Sequence, residues 1–130
     1  MYAVDAGHHY AQTEVSTVSP ARLVLLMYDA VLGAVEIARS VLASERPDLA
    51  VVSQQLTRAQ QLVTELEVAL DHERGGQIAT SLQGLYDYAQ RRLVDANLAK
   101  DAAPLDDVTR IIGDLREAWA SSVVGLDQPS

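Results

Sequence analysis

Apolar residues recur at alternating three- and four-residue spacing through most of the chain, the pattern of helices that each bury one face. Four such stretches are separated by short breakers. The first opens at Ser19-Pro20, where Ser19 can accept an N-cap hydrogen bond and the fixed φ of Pro20 suits the first helical position, and it runs to about Ser44. Glu45-Arg46-Pro47-Asp48 interrupts the pattern, and Asp48 is a good N-cap for the second helix. That second stretch, about Leu49 to Glu73, carries the seam Leu49, Val52, Leu56, Ala59, Val63, Leu66 and Leu70. His72 and Arg74 suit the C-terminal end of its dipole, and Gly75-Gly76 ends it. The third, about Gln77 to Ala99, repeats the seam through Ile78, Leu82, Leu85, Ala89, Leu93 and Ala96. Pro104, with Asp106 and Asp107 in the first turn, opens the fourth, whose seam is Val108, Ile111, Ile112, Leu115, Ala118, Trp119 and Val123. Short connections force antiparallel neighbours, so the pattern predicts an all-α protein: an antiparallel up-down four-helix bundle. Residues 1–17 lack a sustained helical period and read as an N-terminal arm or short extra helix, 18–124 as the bundle, and 125–130 as a flexible tail.

The first helix is too apolar for a simple bundle position. One stripe runs through Leu23, Met27, Ala30, Ala34, Ile37 and Val41, and a second through Val24, Tyr28, Val31, Val35, Ala38 and Leu42. Arg22, Asp29 and Glu36 form a narrow polar strip, and Leu25 and Leu32 lie only roughly 40–80° from it on a helical wheel. Those two leucines have no evident core role and need a lid, from the N-terminal arm or from a partner's helix. Aromatics sharpen the point, because the chain of 130 residues has no Phe, one Trp and five Tyr. Tyr28 and Tyr86 sit in matching apolar-Tyr-Asp strings, and Tyr2 and Tyr10 lie in the arm. Tyrosine suits surfaces that are partly apolar and partly wet. Tyr28 borders the surplus apolar face, whereas Tyr86 lies next to the seam of the third helix and reads as mainly structural.

Charge and composition then exclude several classes. A formal net charge of −8 repels nucleic acid and anionic lipid, and the adjacent Arg91 and Arg92 read as solvated side chains, not a phosphate footprint. With no cysteine, disulfides and thiolate chemistry are excluded. No apolar run reaches the ~20 residues of a membrane span and no signal peptide is evident, so the expectation is a soluble, cytoplasmic protein without membrane insertion. The Glu-x-x-His pairs of a di-metal bundle are missing, and no nucleophile, base and orienter assemble from the spacing. His8-His9 reads as a plain surface pair. The expectation is a protein that is not an enzyme and holds no metal or cofactor.

An ordered set of residues carries a resemblance: Tyr10, Val15, Thr17, Ser19-Pro20, Leu23, Met27-Tyr28-Asp29, Glu65-Leu66, Leu70, Gly75-Gly76, Leu85-Tyr86-Asp87-Tyr88, Arg91-Arg92-Leu93, Ala96-Asn97 and Leu115-Arg116-Glu117-Ala118-Trp119. The chain resembles the flagellar secretion chaperone FliS family from residue 10 to about 122. The resemblance implies a helical-bundle chaperone that binds the disordered C-terminal segment of flagellin in the cytoplasm and blocks polymerisation before type III export. It also implies an N-terminal arm that occupies part of the groove and yields it to flagellin, and contacts with other flagellar regulatory or export proteins. The partner-binding residues it points to, together with the surplus face, are Tyr10, Val15, Leu23, Leu25, Tyr28, Leu32 and Tyr86. The family's usual aromatic after the first Tyr-Asp is replaced here by Gly33-Ala34-Val35. The competing expectation is a self-assembling interaction protein without a flagellin client, forming a weak homo-oligomer through the same groove.

Overall fold

The computed structural model describes residues 19–127, with side chains through Ser122. Four helices make up this region: α1 (Pro20–Leu42), α2 (Leu49–Val68), α3 (His72–Ala99) and α4 (Ala103–Asp127). Each packs on its two neighbours in a closed ring, α1 on α2, α2 on α3, α3 on α4 and α4 on α1, while the backbones of the diagonal pairs stay apart. This is the antiparallel up-down bundle that the spacing predicts. The arm, residues 1–17, together with residue 18 and the last residues of the tail, 128–130, lie outside the described residues. Helix α4 continues to Asp127, so Gly125 and Leu126 stand within it.

Caps fix the helix starts where the sequence places them. Ser19 Oγ accepts from Arg22 N at 3.1 Å, and Asp48 Oδ1 accepts from Ala50 N at 3.1 Å and Val51 N at 3.3 Å. The turn between α2 and α3 differs from the expectation. Helix α2 stops at Val68, and Asp71 caps a new helix by accepting from Arg74 N at 3.1 Å. His72 and Arg74 therefore occupy the first turn of α3, where the helix dipole does not favour a cation; Arg74 is offset by an ion pair with Asp71 at 3.7 Å. Gly76 then kinks α3 with φ 46° and ψ −120°, a conformation that favours glycine, so the Gly75-Gly76 pair bends the third helix and does not end the second.

Five seam positions of α2, Val52, Leu56, Ala59, Val63 and Leu66, are buried as expected, while Leu49 at the open end is exposed. In α1 the core stripe is the second one, with Tyr28, Val31, Val35 and Ala38 buried beside Ala34, and Leu23 and Ile37 face outward. Helix α3 buries Ala89, Leu93 and Ala96 as expected and packs Leu82 against the core, but Ala79 and Tyr86 take the inward places expected for their neighbours Ile78 and Leu85, which are exposed. A tyrosine ring removes more area from water than a leucine and has a buried partner for its hydroxyl, so Tyr86 takes the inward position. In α4, Leu105 joins Val108 and Ile112 in the core, and Ala118 is exposed.

Candidate partner-binding site

The two tyrosines that stand out in the sequence meet in the bundle interior. Tyr28 and Tyr86 are both buried, and their hydroxyls share a 2.7 Å hydrogen bond between α1 and α3, across the diagonal of the ring. Burial pushes both phenols up from their ordinary range; for Tyr86 the bond to Tyr28 and the charge of Glu67 add to that, and for Tyr28 the bond partly opposes it. Both hydroxyls stay protonated at neutral pH, so the pair is a neutral clasp. Tyr28, expected to border the surplus apolar face, and Tyr86 are both core side chains.

A cleft reaches this clasp from the end of the bundle where α1 and α3 begin and α2 ends. An inner space of about 80 Å³ is lined by Val24, Leu66, Leu82, Trp119 and the two tyrosines, together with Ala69 and Leu70. Ala69, Leu70, Leu82 and Trp119 are shared with an open outer cleft of about 330 Å³, whose rim is Asp71, Arg74, Gly75 and Ile78. Trp119 is held in place by its indole N–H, which donates to Ala21 O at 2.6 Å and closes the first turn of α1 against α4. The clasp is thus the floor of an apolar cleft. The sequence marks Trp119 as a seam residue; its role as a cleft wall depends on where α4 ends against α1.

The surplus apolar surface of α1 is present, on the opposite flank from the one expected. Leu25 and Leu32 lie on the side where α4 covers α1, and both are half-buried, Leu32 against the core cluster. Two links hold α4 there: Arg116 to Asp29 at 2.5 Å and Arg39 to Asp106 at 2.7 Å. The lid for these leucines is therefore a helix of the chain itself. On the other flank Leu23, Leu26 and Ile37 stay 52 %, 51 % and 47 % exposed. With Ala30 and Gly33 between them, they form a seam at positions 23, 26, 30, 33 and 37, the three-four spacing by which one helix receives another. A Cβ built on Gly33 meets nothing within 4 Å, so the middle of this seam is open. Leu26 was not singled out by the sequence, although its spacing to Leu23, Ala30 and Ile37 carries the signal. Of the predicted partner-binding residues, Leu23 lies on this seam, Tyr28 and Tyr86 floor the cleft, Leu25 and Leu32 pack inward, and Tyr10 and Val15 lie outside the described residues.

Among the described residues no three His, Asp or Glu side chains gather where they could hold a metal ion, and no helix is long and apolar enough to cross a membrane. What the site offers is an apolar cleft and an apolar helical seam.

Comparisons with known proteins give the family. The model of the family described as flagellar protein FliS matches residues 3–125. A flagellar secretion chaperone FliS of Salmonella typhimurium is 36% identical over 124 residues, covering 92% of this chain and 90% of that protein. The flagellar secretion chaperone FliS of Bacillus subtilis is 32% identical over 114 residues, covering 88% and 83%, and flagellar secretion chaperone FliSB of Pseudomonas aeruginosa is 33% identical over 124 residues, covering 92% and 96%. With the match running through all four helices and both tyrosine strings, the chain belongs to the FliS family of flagellar proteins, a family of chaperones and not of enzymes.

Proposed function

We propose that this flagellar export chaperone binds the disordered C-terminal segment of flagellin in the cytoplasm and keeps it from polymerising before type III secretion. The observation that carries the reading is the exposed seam Leu23, Leu26, Ala30, Gly33 and Ile37, a ready surface for an amphipathic helix that folds on binding. A disordered client loses conformational freedom when it docks, at a cost of roughly 2–5 kcal/mol or more, and burial of aliphatic side chains is the term that offsets it. The arm residues Tyr10 and Val15 compete with the client for the apolar surface, and the apparent affinity falls by the fraction of time the surface is closed.

Calorimetric titration of a flagellin C-terminal peptide into the full chain tests this. One peptide per chaperone is expected, Leu26→Asp weakens binding by at least about tenfold, and removal of residues 1–16 changes the affinity. Absence of binding to the full chain sinks the proposal.

A further inference from the structure

The outward seam begins at Leu23, in the first turn of α1, where a helix has the fewest bonds of its own. Trp119 of α4 holds that turn from outside, its indole N–H donating to Ala21 O at 2.6 Å across 98 positions of the chain. A helical carbonyl keeps a second lone pair, so the bond costs the helix nothing. Ala21 lies between the Ser19 cap and Leu23, whose own N–H donates back to Ser19 O at 3.0 Å. Further along α1 the ties to α4 are at Asp29 and Arg39, beyond Leu26 and close to Ile37. Trp119 thus governs one end of the seam and Arg39 the other. The ring is confined on one side only: half-buried, it walls both the inner space of about 80 Å³ and the outer cleft of about 330 Å³. With contacts missing on the cleft side, the bond to Ala21 sets its place.

We infer that Trp119 is a positioning residue for client binding: through Ala21 it sets the place of Leu23, and so fixes the first contact of the seam without itself touching the client. The inference rests on the client proposed above. A docking helix needs Leu23, Leu26 and Ile37 in one line. A first turn that swings loose takes Leu23 out of that line, and the ordering of the turn is then subtracted from the affinity. Leu23 and Ile37 are about 20 Å apart along the helix, so an anchor at Ala21 acts on the first and leaves the second alone.

The test is a calorimetric double-mutant cycle in which a tryptophan-free flagellin C-terminal peptide is titrated into the wild-type chain, W119F, L23A, I37A, W119F/L23A and W119F/I37A. W119F keeps an aromatic wall and removes the donor. It weakens the client about fivefold and L23A about threefold, while the pair together weaken it no more than about fivefold, because a displaced Leu23 has little left to lose. I37A loses the same factor in either background. The emission of Trp119, the one tryptophan of the chain, gives a second readout: it shifts as the client saturates the wild-type chain and I37A, and stays unshifted in saturated L23A. Without client, amide exchange at Leu23 to Leu26 is faster in W119F and keeps its wild-type rate at Ile37 to Arg39, the sign of a folded chain loosened at its first turn. Additive losses in W119F/L23A, or W119F binding as wild type does, overturn the inference and leave the seam reading standing. Equal coupling of Trp119 to Leu23 and to Ile37 makes the effect a general loss of stability, which also overturns it. A wild-type chain that binds no flagellin peptide ends both.

Discussion

The two ends of this bundle are built from different materials. At the end formed by the α1–α2 and α3–α4 connections, polar side chains cross between helices: Arg39 reaches Asp106 and Thr109, Arg92 reaches Asp107, and Lys100 bonds to Ser53 and Asn97. Lys100 is the one described non-glycine residue with positive φ, at 51°, and its ammonium spans from α3 to α2 while capping α3. At the other end the helices meet through Tyr28, Tyr86, Leu66 and Trp119 around an apolar cleft. Directional bonds fix register and leave no apolar space, whereas aliphatic and aromatic walls bury more area but leave room for a further side chain. The closed end sets the frame, and the cleft lies at the end where residues 1–18 join α1.

If that contrast is right, truncation at the cleft end costs most. Tyr86→Ala removes a core ring and one half of the clasp, and is expected to destabilise by about 3–5 kcal/mol in urea titrations. Asp107→Asn at the other end, which removes a half-buried ion-pair centre, lowers the midpoint less; equal losses would break the comparison. A subtler change comes next. Tyr28→Phe leaves the Tyr86 hydroxyl buried without its partner and costs about 1–2 kcal/mol, while the double Phe variant is more stable than the sum of the single changes because neither hydroxyl is left unpaired.

Glycines sharpen the comparison on a smaller scale. Gly76→Ala forces a side chain onto φ 46° and costs about 1 kcal/mol. Gly84→Ala, within regular helix and with open space around the new Cβ, gains up to about 1 kcal/mol. Opposite signs for two glycines eight positions apart on one helix place the strain at the kink on the cleft rim, and calorimetric midpoints read it directly.

The smallest effects are the pH limbs, which the two ends divide between them. The folded state raises the phenols of Tyr28 and Tyr86, so their contribution is present below the ordinary value of 10.0 and is lost as pH rises above it. Asp107 runs the other way. Its hydrogen bond from the Tyr88 hydroxyl, then those from Arg110 and Arg92, hold it below 3.8, so its contribution is present above that value and fades as pH falls through the lowered one. Urea midpoints between pH 3 and 11 should show an alkaline limb that vanishes in the double Phe variant and an acid limb reduced in Asp107→Asn.

Much of the fold is legible along the chain. Ser19 and Asp48 cap where expected, and the α2 seam from Val52 to Leu66 is buried position for position, because α2 has a single narrow apolar stripe and only one rotation hides it. Helix α1 has two stripes, and either satisfies the local pattern; the Trp119, Asp29 and Arg39 links to α4 select the one with Tyr28 inward. Helix α3 offers both Leu85 and Tyr86 for the same place, and the Tyr28 hydroxyl, 58 positions away in the chain, decides between them. The candidate site was legible as an excess of apolar surface on α1 and as scarce, paired tyrosines. Its outward seam and its cleft were not, since both depend on how far each helix is rotated.

The sequence alone therefore determined the number of helices, their breaks and caps, the acidic character of the chain and the ordered motifs that mark its family. These are local: a cap or a breaker acts within a few residues of itself, and periodic spacing reports that a helix has an apolar face. The tertiary structure decided which face that is. A turn of about 100° per residue carries a side chain from core to solvent, neighbouring faces of an apolar helix satisfy the same spacing, and only the ring of partners settles which one is buried. That choice sends Tyr28 and Tyr86 inward to floor the cleft and turns Leu23, Leu26 and Ile37 outward to solvent.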